Sequence, residues 1–129
     1  MRSSFRRWGE AVGIAQLAWL LAVAASPEIP SPFWGEWSFD EAACANAGEV
    51  RMIVRNEGYT REEIDAVVDT ISVMGNAPLR LRMTVSASAE GNRWTEVEEW
   101  TLLSANRFVS HSEGDPRTTH YVKCQPTGS

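Results

Sequence analysis

Lysine and arginine never gather into a cluster in this 129-residue chain, whose formal net charge is −5, so nucleic acid and anionic membrane surfaces are poor partners for it. Cysteine and histidine are equally sparse. Two of each, Cys44 and Cys124 with His111 and His120, leave a metal ion without a visible third ligand beside the imidazoles. No glycine-rich phosphate loop is present, and Ser110 and Ser112 beside His111 lack the context of a nucleophile elbow. The longest apolar run, Ala11 to Ala25, is interrupted by Gly13 and Gln16 and falls short of the about 20 residues that a membrane-spanning helix needs. No cysteine ends that run to accept a lipid.

What the start of the chain does have is the layout of an export signal. Arg2, Arg6 and Arg7 precede the apolar run, and Ala22-Val23-Ala24 or Val23-Ala24-Ala25 offers small residues for cleavage. Residues 1–25 therefore read as a signal-peptide helix, and the protein as periplasmic or secreted. Losing that segment takes three arginines and one glutamate from the 12 basic and 17 acidic residues, so the mature surface is more acidic still. Residues 26–32, with Pro27, Pro30 and Pro32, read as a stiff extended linker. Residues 33–126 are then one small domain, and 127–129 a tail. In an exported chain of this size two cysteines predict a disulfide, Cys44 to Cys124, which brings the two ends of the domain together.

Phe33-Trp34-Gly35-Glu36-Trp37-Ser38-Phe39 reads as the first strand, with Phe33, Gly35, Trp37 and Phe39 on one face and Trp37 and Phe39 directed into the core. Val50, Met52 and Val54 alternate with Arg51 and Arg55, although Ile53 breaks the rule. Leu79, Leu81, Met83, Val85 and Ala87 alternate with polar residues without exception, the pattern of a half-buried strand. Glu90-Gly91-Asn92 reads as a tight turn, Trp94 to Leu103 as a long strand with Trp100 and Leu102 on one parity, and Arg107 to Ser112 and Arg117 to Cys124 as the last two strands. Thr60 to Met74 carries two patterns. Thr60 with Glu63 forms a capping box, and Ile64, Val67, Val68 and Ile71 fall at helical spacing. The β-branched content of Asp65, Val67, Asp69, Ile71 and Val73 favours a strand over Val67 to Val73, after a turn or short helix. Successive hairpins predict an all-β fold, an up-and-down meander barrel of about eight antiparallel strands.

Chemistry is thinly marked. With a two-residue connection between the last two strands, residues whose numbers sum to 229 pair, which makes His111 and His120 diagonal neighbours on one face. They read as a surface pair. Glu96, Glu98 and Glu99 between Trp94 and Trp100 could be paired carboxylates for glycoside chemistry, but read more simply as the solvated side of a strand. Met52, Met74 and Met83 read as core filler. No catalytic, cofactor or metal-binding residue is assigned, and an enzyme is not expected.

Gly35-Glu36-Trp37 at the head of the first strand resembles the Gly-x-Trp signature of lipocalin-like barrels. The resemblance implies that Trp37 packs across the barrel floor under a basic residue, a place that Lys123 or Arg117 could take. From Phe33 through Cys44 to Tyr121-Val122-Lys123-Cys124, the mature chain is also similar to small exported bacterial barrels of unassigned function. Many of those carry a second cysteine pair in the middle strands, where this chain has Asp69 or Thr70 and Ser86. The expected function is a monomeric, non-enzymatic binding or interaction module of the cell envelope. Its partner would be an envelope or exported protein, with inhibition of an exported peptidase through the tail Ser26 to Phe33 as one form, or else a small apolar ligand carried in the barrel.

Overall fold

The computed structural model describes residues 27–46 and 51–125. The expected leader, Val50 and the tail lie outside the described residues. Period-two patterning becomes eight strands: β1 (Gly35–Ser38), β2 (Met52–Val54), β3 (Gly58–Arg61), β4 (Ile64–Asn76), β5 (Leu79–Ala89), β6 (Asn92–Ser104), β7 (Arg107–Ser112) and β8 (Thr118–Lys123). Each pairs antiparallel with the next, and β8 returns to β1 with Trp37 opposite Lys123 and Ser38 opposite Val122. The barrel is closed, although β4 beyond Val68 pairs with β5 alone. A short helix, α1 (Glu41–Ala45), begins at Asp40, whose side chain accepts the Ala43 N–H at 2.7 Å. Cys44 on α1 is bonded to Cys124, just beyond β8, with Cα atoms 5.1 Å apart.

The cleanest alternation produces the most regular strand. Leu81, Met83, Val85 and Ala87 of β5 are all buried. Glu90 and Gly91, at φ 50° and 83°, make the two-residue turn into β6, a backbone shape that matches the twist of a hairpin. Residues 61–74 form no helix: β3 and β4 meet across a tight turn in which Glu62 takes φ 54°. Within β4 the inward residues are Ala66, Val68 and then Ile71, because a bulge between Val68 and Thr70 adds one residue. Val67 and Val73, which the parity of the sequence joins to Ile71, are exposed. Asp69 and Ser86 are linked by a hydrogen bond from Ser86 Oγ to Asp69 Oδ2 at 2.5 Å.

One end of the barrel is filled with rings. Trp37 and Phe108 meet edge to face at 4.5 Å, Trp100 lies 4.8 Å from Phe108, and Phe33 touches Trp100 and Phe108 at 5.5 and 5.4 Å. The described part of the linker takes part in this plug. Ile29 and Phe33 are fully buried, the Ile29 N–H donates to the Asn56 carbonyl at 2.8 Å, and Trp34 Nε1 donates to the Ile29 carbonyl at 2.6 Å. The chain from Ile29 to Phe33 therefore packs into the end of the barrel rather than projecting from it.

Phe39 does not join the core. β1 ends at Ser38 and the chain bends, leaving Phe39 46% exposed with its ring 5.9 Å from Tyr121 and the Arg51 guanidinium 5.1 Å above it.

Two glycines are fixed, one by its backbone conformation and one by close approach. Gly35 has φ 129°, which side chains rarely adopt, and neighbouring Lys123 places its Nζ 5.2 Å over the Trp37 ring. At Gly58 a Cβ would fall 2.0 Å from the Ala66 carbonyl oxygen on the neighbouring strand. Gly58→Ala is expected to lower stability by about 2 to 3 kcal/mol, since backbone rather than a flexible side chain must give way. Urea unfolding checks this, and an unchanged midpoint would contradict the strand spacing described.

Candidate functional site

The other end of the barrel is open and polar. Its pocket, about 750 Å³, has Arg61, Glu96, Ser110, Ser112 and Thr119 on its walls and the β7–β8 loop from Glu113 to Arg117 at its rim. Alternation explains how charge comes inside. On β6 the parity of Trp100 and Leu102 extends back through Glu98 and Glu96, so both carboxylates face inward while Glu99 faces out to bond Arg82 at 2.7 Å.

Glu98 overturns the expectation of a solvated strand face, being only 1% exposed. It is held there because each of its oxygens has a buried donor. Tyr59 Oη–H donates to Oε2, and Trp100 Nε1–H donates to Oε1 at 3.0 Å. Burial raises the carboxyl group's pKa above its ordinary value, and these two hydrogen bonds and the Arg61 charge only partly oppose it. Tyr59 is in turn pushed strongly upward, first by burial and then by the adjacent Glu98 charge.

Arg61 bridges this floor and the pocket. Its guanidinium carbon lies 5.7 Å from the Tyr59 ring centre, and it donates a hydrogen bond to Tyr121, whose hydroxyl also bonds Ser110. Burial raises the Tyr121 hydroxyl, with Arg61 pulling the other way. Glu96 has no comparable support: its Oε2 is shut off from solvent with no hydrogen-bond partner.

At the rim the charges are paired. Arg117 grips Asp115 through Nε and Nη2 at 3.1 and 3.0 Å, which pushes the Asp115 carboxyl down to about 2. Glu113 is bonded by Arg82 from the outer wall.

Other residues marked in the sequence lie elsewhere. Trp37 is fully buried at the sealed end, where Nε1 donates to the Phe33 carbonyl at 2.9 Å. Val109 pairs with His120 and Thr118 with His111, so both imidazoles are diagonal neighbours on the outer face. Ser110 faces inward, away from His111, so the two form no nucleophile and base pair. Among the described residues no three His, Cys, Asp or Glu side chains converge as a metal site. No protein-family model, no curated protein and no solved structure matches the chain.

The raised Glu98 pKa has a consequence for stability. Between the ordinary value of 4.5 and its higher value in the fold, the native state keeps a proton that the unfolded chain releases. That contribution is fully present below 4.5 and is lost as pH rises through the native value. The unmodified protein is therefore expected to lose stability relative to Glu98→Gln as pH rises above 4.5 and through the raised native value. Urea midpoints of both proteins measured upward from that pH test it, and parallel curves would rule out Glu98 as the source.

Proposed function

We propose that this protein is an exported, non-enzymatic binding module of the cell envelope that holds one small polar molecule in the open end of its barrel. The pocket carries this reading. A volume of about 750 Å³ is that of a site for one small molecule, and the aromatic plug makes it blind. Its walls of arginine, glutamate, serine and threonine suit a polar occupant better than the apolar cargo expected of a barrel interior. The disulfide suggests an environment outside the cytoplasm, and the signal-like first 25 residues support export. Inhibition of a peptidase through a projecting tail has less support, because Ile29 and Phe33 are committed to the barrel.

Native mass spectrometry of protein purified from the exported fraction tests the reading. The expected result is a small-molecule adduct that is lost in Thr119→Trp, which fills the mouth. A bare chain, or a protein partner alone, would overturn it.

A further inference from the structure

We infer that the occupant of the open end is a small organic cation, an amine or guanidinium, held by Glu96. The inference rests on the proposed pocket function and follows from which charges there are already satisfied. Arg117 is tied to Asp115, and Glu113 to Arg82. Three interior ionisable side chains remain: Arg61, Glu96 and Glu98. Both Glu98 oxygens are taken by Tyr59 and Trp100, and Arg61 lies over Tyr59 and bonds Tyr121. Glu96 is left as a pocket-wall carboxylate with one oxygen enclosed and unpartnered. Such a group is costly to bury until a donor reaches it, and a positively charged donor bonds a carboxylate more strongly than a neutral one. An anion would meet the unpartnered Glu96 carboxylate on the pocket wall. The acidic surface of the whole chain, with 17 acidic and 12 basic residues, adds a field that concentrates cations at the mouth.

Matched probes separate the possibilities: n-butylamine, n-butanol and butyrate share a chain and differ in head group, and agmatine supplies a guanidinium. Binding is read from backbone amide shifts of Arg61, Ser110 and Thr119 in the oxidised protein. The amine and agmatine are expected to bind about ten- to a hundredfold more tightly than the alcohol, the range of an ionic hydrogen bond. Glu96→Gln should abolish that preference and leave the alcohol's affinity unchanged. Glu113→Gln, at the rim, should preserve it. Should Glu96→Gln not fold, Glu96→Asp keeps the charge on a shorter arm and should weaken the amine without affecting the alcohol. Equal or better binding of butanol or butyrate at these residues would overturn the cation inference while leaving the pocket's function standing. An amine preference that survives both Glu96 variants would also overturn it. If no probe moves the mouth resonances, both readings fall.

Discussion

Trp37→Ala is expected to destabilise the protein by about 3 to 5 kcal/mol, the range for deleting a large buried aromatic side chain. Trp37 is 0% exposed and sits where three separate supports meet. Its ring packs edge to face on Phe108 at 4.5 Å, its Nε1 donates to the Phe33 carbonyl at 2.9 Å, and Lys123 Nζ lies 5.2 Å over its face. Alanine removes the ring from the plug, leaves the Phe33 carbonyl without its donor and strips Lys123 of the surface it covers. The rings around it are locked to one another, so the space cannot readily collapse. Trp37→Phe separates these effects. It keeps most of the ring contact but loses the indole donor, and should cost about 1 to 3 kcal/mol, the penalty for an unsatisfied buried carbonyl. Urea unfolding of both variants gives the comparison. A loss below about 1 kcal/mol for the alanine variant would mean that the sealed end collapses freely, contrary to close-packed interiors.

How far the sequence could be read depends on whether one face of each strand meets a uniform environment. β5 is apolar inward and polar outward along its length, so its alternation names its face directly. β4 misleads because its bulge puts Val68 and Ile71, three residues apart, on the same inward side. A bulged strand thus imitates helical spacing, and the pair that looks like a capping box is Thr60 of β3 and Glu63 of the β3–β4 turn. On β6 the signal was present and was outweighed by residue type. Glu96 and Glu98 share parity with Trp100 and Leu102, but a glutamate is seldom buried unless it is paired. Its donors, Tyr59 and Trp100, come from β3 and from two residues farther along β6, and the barrel alone brings Tyr59 into reach. The same holds in part for Arg61, which lies over Tyr59 on its own strand but meets Tyr121 of β8 only in the folded barrel. Phe39 shows the opposite error, in which a parity is continued past Ser38, where the strand ends.

Reduction of the Cys44–Cys124 disulfide is expected to remove about 4 to 5 kcal/mol of stability while leaving the strand pattern in place. The bridge spans 80 residues of sequence, so in the unfolded chain it forbids a large set of conformations that the reduced chain regains. In the folded chain it is one of several ties at the same seam. Trp37 pairs with Lys123 and Ser38 with Val122, the Cys124 N–H donates to the Glu36 carbonyl at 2.7 Å, and Arg107 reaches Glu41 at 3.4 Å. Because backbone pairing closes the barrel without the sulfurs, the β-sheet circular dichroism of the reduced protein should match that of the oxidised protein at low temperature. Its midpoint should fall by many degrees, since a domain of this size holds only about 5 to 15 kcal/mol in total. Cys44→Ser with Cys124→Ser should reproduce the reduced protein in the absence of reductant. The measurement is thermal unfolding with and without reductant, after peptide mapping has confirmed the state of the thiols. A shift of only a degree or two would show that the unfolded chain keeps its ends together without the bridge, and loss of the sheet signal at low temperature would show that β1 and β8 cannot pair without it.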